Sequence, residues 1–200
     1  MAVKTKAKPK KKAVAKKAVA KKAVAKKAVA KKPAAKRKTA KKKGAALKTK
    51  FLSHGTLIAK NLETTRKFYT EFLGLESIRT SPISLMVRLG GVHVYAVVEQ
   101  KNHSDKMRYL FHNGLDVTTQ EEVDEAHRTT VKQAKKWGIQ DISKPILQHG
   151  TYSFYFWDLD GNCWEILSNP KDGYTWIFDQ GDQKGKGHMA KTFERPGLSK

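Results

Sequence analysis

Residues 54–63 read HGTLIAKNLE, and residues 112–121 read HNGLDVTTQE. The two stretches start 58 residues apart and agree in type at four positions. His opens each, Leu follows at +3, a small apolar residue (Ala59, Val117) at +5 and Glu at +9. A repeat of this length, each copy opening an apolar strand with His, reads as an internal duplication. The flanking residues agree. Leu62, Phe68, Tyr69 and Phe72 have helical spacing, which predicts a helix over 62–72 with Asn61 as its cap and Gly74 as its stop. Strands are expected at 75–80, 84–89 and 93–98. In the second copy a strand over 109–117 leads to a helix over 121–137, with Thr119 and Glu122 as a capping box and Gly138 as terminator. Strands at 139–142, 152–158 and 163–168 complete it. The order β-α-β-β-β occurs twice, giving an α+β fold. Two such modules can close their sheets around one cleft and bring both histidines to it.

Residues 1–50 are of another kind. They hold 22 of the 41 basic residues and none of the 18 acidic ones, so the rest of the chain is nearly neutral, with 19 against 18. From Lys11 to Ala30 they repeat KKAVA, and Lys31–Ala35 varies it as KKPAA. A five-residue period rotates by about 140° per repeat along a helix, so no apolar stripe forms and no core or coiled coil can be built. Such a segment is expected to be disordered in isolation, because like charges repel and Ala and Val bury too little to offset chain entropy. Its expected partner is DNA or RNA, bound through phosphates without regard to sequence. The repeats resemble the lysine/alanine tails of linker histones and bacterial histone-like proteins. One cysteine, Cys163, excludes an internal disulfide and a Cys-rich zinc site. No apolar run approaches the roughly 20 residues of a membrane span, and no signal-peptide core is present. A cytoplasmic protein is expected, with nucleoid association if the tail meets DNA.

Three stretches carry a family likeness: HGTLIAKNLETTRKFYTEFLGLE from His54, HNGLDVTTQEEVDEA from His112 and SFYFWDLDGNCWEIL from Ser153. They resemble the signature regions of the vicinal-oxygen-chelate superfamily, which contains glyoxalases, extradiol ring-cleaving dioxygenases, and fosfomycin- and bleomycin-resistance proteins. The likeness covers about residues 54–168. It implies paired βαβββ modules with a divalent metal in the cleft. It divides the chain into a basic tail (1–50), the two-module domain (51–170) and a C-terminal extension (171–200).

The resemblance also implies the site. Metal ligands in that superfamily open the first strand of each module and sit near the end of the last strand, which here are His54, His112 and Glu165. Two histidines and one carboxylate form a facial set that leaves positions open for substrate and dioxygen. In extradiol dioxygenases a His on the last strand of the first module acts as acid–base, and His93 stands there. Tyr155, ten residues before Glu165, matches their hydrogen-bonding tyrosine, and His149 precedes it as a further candidate. The gap from His149 to Tyr155 is shorter than the family's, and Leu159 replaces its usual Pro. These roles are chemically coherent: a diol losing its proton needs an acceptor, the oxygen needs a donor, and imidazole titrates in the right range.

The expectation is therefore a non-haem Fe(II) extradiol dioxygenase of aromatic compound catabolism, cleaving a catechol-like aromatic diol with O₂. Its rivals are a glyoxalase-type lyase or fosfomycin/bleomycin-resistance-type protein using Mn, Zn or Ni, and a nucleoid-associated binding module. Short superfamily members commonly pair, so a homodimer is expected. In the extension, Gly173–Phe178 (GYTWIF) is aromatic enough to pack over the cleft mouth or a subunit partner.

Overall fold

β1 (His54–Ala59) buries Leu57 and Ala59 while His54 and Thr56 stay exposed, the alternation of a strand covered on one face. Asn61 then turns the chain. Its side-chain oxygen accepts from the backbone N–H groups of Glu63 and Thr64 and so caps α1 (Leu62–Glu71), which buries Leu62, Thr65, Phe68 and Tyr69. β2 (Glu76–Ser81), β3 (Ser84–Arg88) and β4 (Val94–Glu99) follow. They form a sheet of order β1-β4-β3-β2, in which β1 runs parallel to β4 and the other pairs are antiparallel.

The second module repeats the plan. β5 (Asn113–Val117) leads into α2 (Gln120–Trp137), which has the expected capping box of Thr119 and Glu122 and ends on Gly138 at φ 67°. β6 (Ile146–Gln148), β7 (Thr151–Trp157) and β8 (Cys163–Ser168) give a sheet of order β5-β8-β7-β6, with β5 parallel to β8. The protein therefore has the two βαβββ modules that the 58-residue repeat implies.

This computed structural model describes residues 46, 47, 49, 51–148, 150–169 and 173–190. The chain divides into two units, Met1–Lys48 and Thr49–Lys200, and the two β-α-β-β-β modules lie in the second. The expected disordered tail lies outside the described residues, apart from residues 46, 47 and 49, and His149 lies outside them too. No helix among the described residues is long and apolar enough to cross a membrane.

Two expected strands are redrawn. Residues 139–142 form no strand: Gln140 makes an isolated bridge to Trp157, and Asp141 at φ 41° leaves the extended region. Beyond Pro145 the chain pairs instead as β6, whose Gln148 faces Thr151 across the turn containing Gly150. The strand expected over 109–117 is shorter. Residues Tyr109–Phe111 close a 3-10 turn, with the Phe111 N–H donating to the Arg108 carbonyl, so pairing begins only at Asn113 and His112 stands just before the strand.

The turn between β7 and β8 fastens the second module onto the first. Asp158 is fully buried and accepts from the Tyr69 hydroxyl (2.9 Å), the Trp164 indole N–H (3.0 Å) and the backbone N–H groups of Asp160 and Asn162. Asp160 accepts from the Thr65 hydroxyl and the Lys60 N–H. The Asn162 amide both accepts from and donates to the backbone of Ile58. Gly161 makes the turn possible. At φ 90°, an added Cβ would lie 2.8 Å from the Asp105 carbonyl oxygen. Gly161→Ala should therefore lower unfolding free energy by about 1–3 kcal/mol. The check is the urea midpoint at unchanged slope; an unshifted midpoint would show that the turn has room.

Candidate metal centre

The second sheet has two unlike faces. Tyr152 donates to Asp124 of α2 and the Phe154 ring meets His127 of α2, so Tyr152, Phe154 and Phe156 face that helix. Strand alternation turns Thr151, Ser153 and Tyr155 to the other face. On β8 the same register places Cys163, Glu165 and Leu167 there, with Glu165 directly opposite Tyr155 and, on the far side, opposite Gly114.

His112 completes this face. Its Nε2 lies 3.2 Å from Oε2 of Glu165, its Nδ1 lies 2.5 Å from the Tyr109 carbonyl oxygen, and its ring meets the Tyr155 ring at 5.0 Å. With the Nδ1 proton donated to the Tyr109 carbonyl, Nε2 is the nitrogen that faces Glu165: it donates to the carboxylate when the ring is protonated, and once that proton is lost it is the atom free to bind a metal. Histidines that bind metal are held in this way by a partner on their other nitrogen. The Tyr155 hydroxyl accepts from the Gln148 amide at 2.8 Å. Burial and then the Glu165 carboxylate push the Tyr155 phenol well above its usual range, so it remains a proton-bearing donor. The Cys163 thiol is pushed up to about 12 by burial, with Glu165 and Asp158 adding to it, so it stays protonated and acts as a small buried filler.

The Glu165 carboxylate raises His112 above its ordinary value, outweighing burial, and the Tyr109 carbonyl adds to the rise. Burial pulls Glu165 upward, but His112, with its Nε2 3.2 Å away, and the nearby Ser153 and Tyr155 hydroxyls together hold it below its ordinary value. The signs fix a window. The raised His112 stabilises fully below 6.5 and loses that contribution as pH climbs through its folded pKa. The lowered Glu165 stabilises above 4.5 and loses its contribution as pH falls through its folded pKa. In metal-free protein, the stability difference between wild type and His112→Gln should therefore be largest between pH 4.5 and 6.5 and shrink above it. Denaturant titrations across pH test this; a difference that grows above pH 8 would mean His112 is neutral in the pair.

The other candidates are placed differently. His54 opens β1 with Nδ1 2.7 Å from the Ser53 hydroxyl, exposed on the first sheet. Among the described residues no three His, Cys, Asp or Glu side chains come close enough to hold one ion, so the chain brings His112 and Glu165 together without His54. His93 precedes β4, exposed, with its ring edge-on to Tyr95 at 5.1 Å. Tyr95 pairs with Gly55 and reaches toward Trp164, on the face of the first sheet that packs inward, opposite to Thr56 and Ala96. His93 is thus not brought to His112 and Glu165. Sequence reading missed Ser153, which strand parity with Tyr155 could have found, and the Tyr109 carbonyl, which no residue type announces.

No family model matches the chain, and no curated protein matches it. Solved structures do. One is a genomically encoded fosfomycin resistance protein from Listeria monocytogenes, complexed with Mn(II) and sulfate. It is 23% identical, with 65% of this chain and 98% of that one covered, at a TM-score of 0.49. A possible glyoxalase from Bacillus cereus is 19% identical, covering 60% and 99%, at 0.49. A glyoxalase/dioxygenase from Nostoc punctiforme is 17% identical, covering 64% and 96%, at 0.48. In its signature stretches and its paired modules the chain resembles the vicinal-oxygen-chelate superfamily.

Proposed function

We propose that this protein is a divalent-metal enzyme of the vicinal-oxygen-chelate type, holding its ion through His112, Glu165 and a His54 supplied by a second copy of the chain. The observation that carries this is the His112–Glu165 pair: two ligand types meet, one just before β5 and one on the adjacent β8, with the imidazole oriented through Nδ1 by the Tyr109 carbonyl. His54 has its own Nδ1 partner in Ser53 but stands apart within one chain, so the homodimer expected from the resemblance is what would complete the set. The ion would polarise two adjacent substrate oxygens or, as iron, supply the redox chemistry of O₂. The protein's own contribution is Tyr155, a protonated phenol beside Glu165 that can donate to a developing negative oxygen.

Extradiol cleavage of a catechol-like diol with Fe(II) is the first reading, and Tyr155 supports it. His93 gives it no support, because its exposed ring lies edge-on to Tyr95, away from His112 and Glu165. That placement favours a second reading, a glyoxalase-type lyase or fosfomycin-type transferase with Mn, Zn or Ni, which needs no second histidine. The test is anaerobic loading with Fe(II) and Mn(II), then assay of catechols for yellow ring-fission products with O₂ uptake. Hemithioacetal isomerisation and thiol addition to an epoxide are assayed in parallel. Protein that takes up no stoichiometric divalent metal would overturn the enzymatic reading.

We also propose that residues 1–50 bind nucleic-acid phosphates, since they carry 22 basic residues and no acidic one. With six to ten phosphates neutralised, affinity should fall about 10³–10⁵-fold between 50 and 200 mM salt. Removing the segment should abolish binding; DNA binding that survives its removal would place the nucleic-acid surface on residues 51–200 and favour a nucleoid module.

A further inference from the structure

The two modules differ in what covers the face that carries their histidine. In the first sheet Thr56, Ala96, Met86 and Ile78 share that face, and they are exposed or half-buried. At the matching positions of the second sheet, Tyr155 and Glu165 are 9% and 5% exposed, and beside them Thr151, Ser153 and Leu167 are 2% or less. The repeat does not account for the difference, because it lies in what each sheet has against it. The second sheet is met by the Tyr109–Phe111 turn and by a segment outside both modules, which runs from Gly173 into α3 (Thr175–Gln180). Gly173 sits so close to β5 that an added Cβ would be 3.1 Å from the Asp116 carboxylate. The Tyr174 hydroxyl is 2.9 Å from that of Thr151, which opens β7 four residues before Tyr155. From the other side the Tyr109 ring stands edge-on to Tyr155 at 6.1 Å.

We propose that Gly173–Gln180 is a working wall of the His112–Glu165 site, and that Tyr174 determines which substrates fit beside Tyr155. The inference rests on the metal-enzyme reading and adds its specificity element. Tyr109 and Tyr155 present aromatic surface beside the carboxylate, and Tyr174 meets the same face at Thr151, which suits a flat ring bearing oxygens and disfavours bulk on the edge nearest Thr151. Tyr174 is 42% exposed, so its ring reaches both the buried face and solvent, as a wall residue at an entrance must.

The experiment compares full-length wild type, Tyr174→Phe and Tyr174→Ala. Amide hydrogen exchange is followed in β7 and β8, with β1 and β4 as an internal control. Tyr174→Ala should speed exchange in β7 and β8 by about tenfold and leave β1 and β4 unchanged, while Tyr174→Phe, which keeps the ring, stays near wild type. In Mn(II)-loaded protein, the ratio of affinities for 4-nitrocatechol and 4-tert-butylcatechol, read by absorbance titration and competition, should narrow by about tenfold in Tyr174→Ala and hold in Tyr174→Phe. Unchanged exchange in Tyr174→Ala, or equal acceleration in β1 and β4, overturns the wall. Altered exchange with an unchanged ratio overturns the specificity role. If wild type binds neither catechol, the diol reading fails and the role of Tyr174 toward this substrate class falls with it, while the exchange comparison still decides the wall.

Discussion

Mixing His54→Ala protein with Glu165→Ala protein should restore metal binding that neither variant has alone. Each single variant lacks one ligand of every site, so stoichiometric Mn(II) or Fe(II) loading should be lost in both while the fold persists. In a two-fold dimer whose sites draw His54 from one chain and His112 with Glu165 from the other, each mixed dimer rebuilds one intact site and breaks the other twice. Random exchange of subunits should then recover about one quarter of the sites. Metal content after unfolding and corefolding the two variants reads the result, with light scattering to confirm the dimer. No recovery, with both single variants empty, would place all three ligands in one chain. Full loading of His54→Ala alone would remove His54 from the centre and leave His112 and Glu165 with a different third ligand.

Asp158→Ala should be among the most destabilising single changes in the chain. The carboxylate is fully buried and accepts from Tyr69, Trp164 and two backbone N–H groups, so truncation leaves several buried donors without an acceptor. Each costs about 1–3 kcal/mol. An opposing effect must be weighed. Burial pushes the Asp158 carboxyl up to about 6 from 3.8, despite the donors that hold it down. At pH 7 its charge therefore costs the fold about 3 kcal/mol relative to an ordinary aspartate, a cost that truncation removes. The donors outnumber that single charge, so a net loss of about 3–5 kcal/mol is expected at pH 7, read from urea unfolding. Because the folded state holds its proton more tightly, wild type should gain stability from this group as pH falls from 6 toward 3.8, and the variant should not. A loss under about 1 kcal/mol would mean that the burial cost cancels the hydrogen bonds.

Most of the second module's site was open to reading as residue types at set spacings. Tyr155 and Glu165 lie ten residues apart on two strands of one hairpin, and a hairpin's register follows from its turn, so their facing positions were implied by DLDGN between them. The repeat of His54 and His112 likewise carried the order of elements, and Asn61, Thr119 and Gly138 marked the helix ends through local hydrogen bonding and φ alone. His93 misled because one residue of parity decides which face of a sheet a side chain meets. The ring before β4 falls on the Tyr95 side, away from Thr56 and Ala96. The strand expected at 139–142 misled because apolar residues there pack as a loop once Asp141 takes φ 41°.

By itself the sequence determined what is local or periodic: the charge division at residue 50, the two βαβββ modules, the caps, and the residue types able to bind a metal. Only the tertiary structure decided which of those residues meet. His112 and Glu165 are brought together by parallel pairing of β5 with β8, a contact between residues 53 positions apart that no spacing rule supplies. It also decided that His54 stands apart from them, and that Tyr174, from outside the repeat, covers the same face. The physical reason is range. Caps and strand alternation arise from neighbours within a few residues, whereas a site is assembled by packing, in which the whole chain sets the distance between any two side chains.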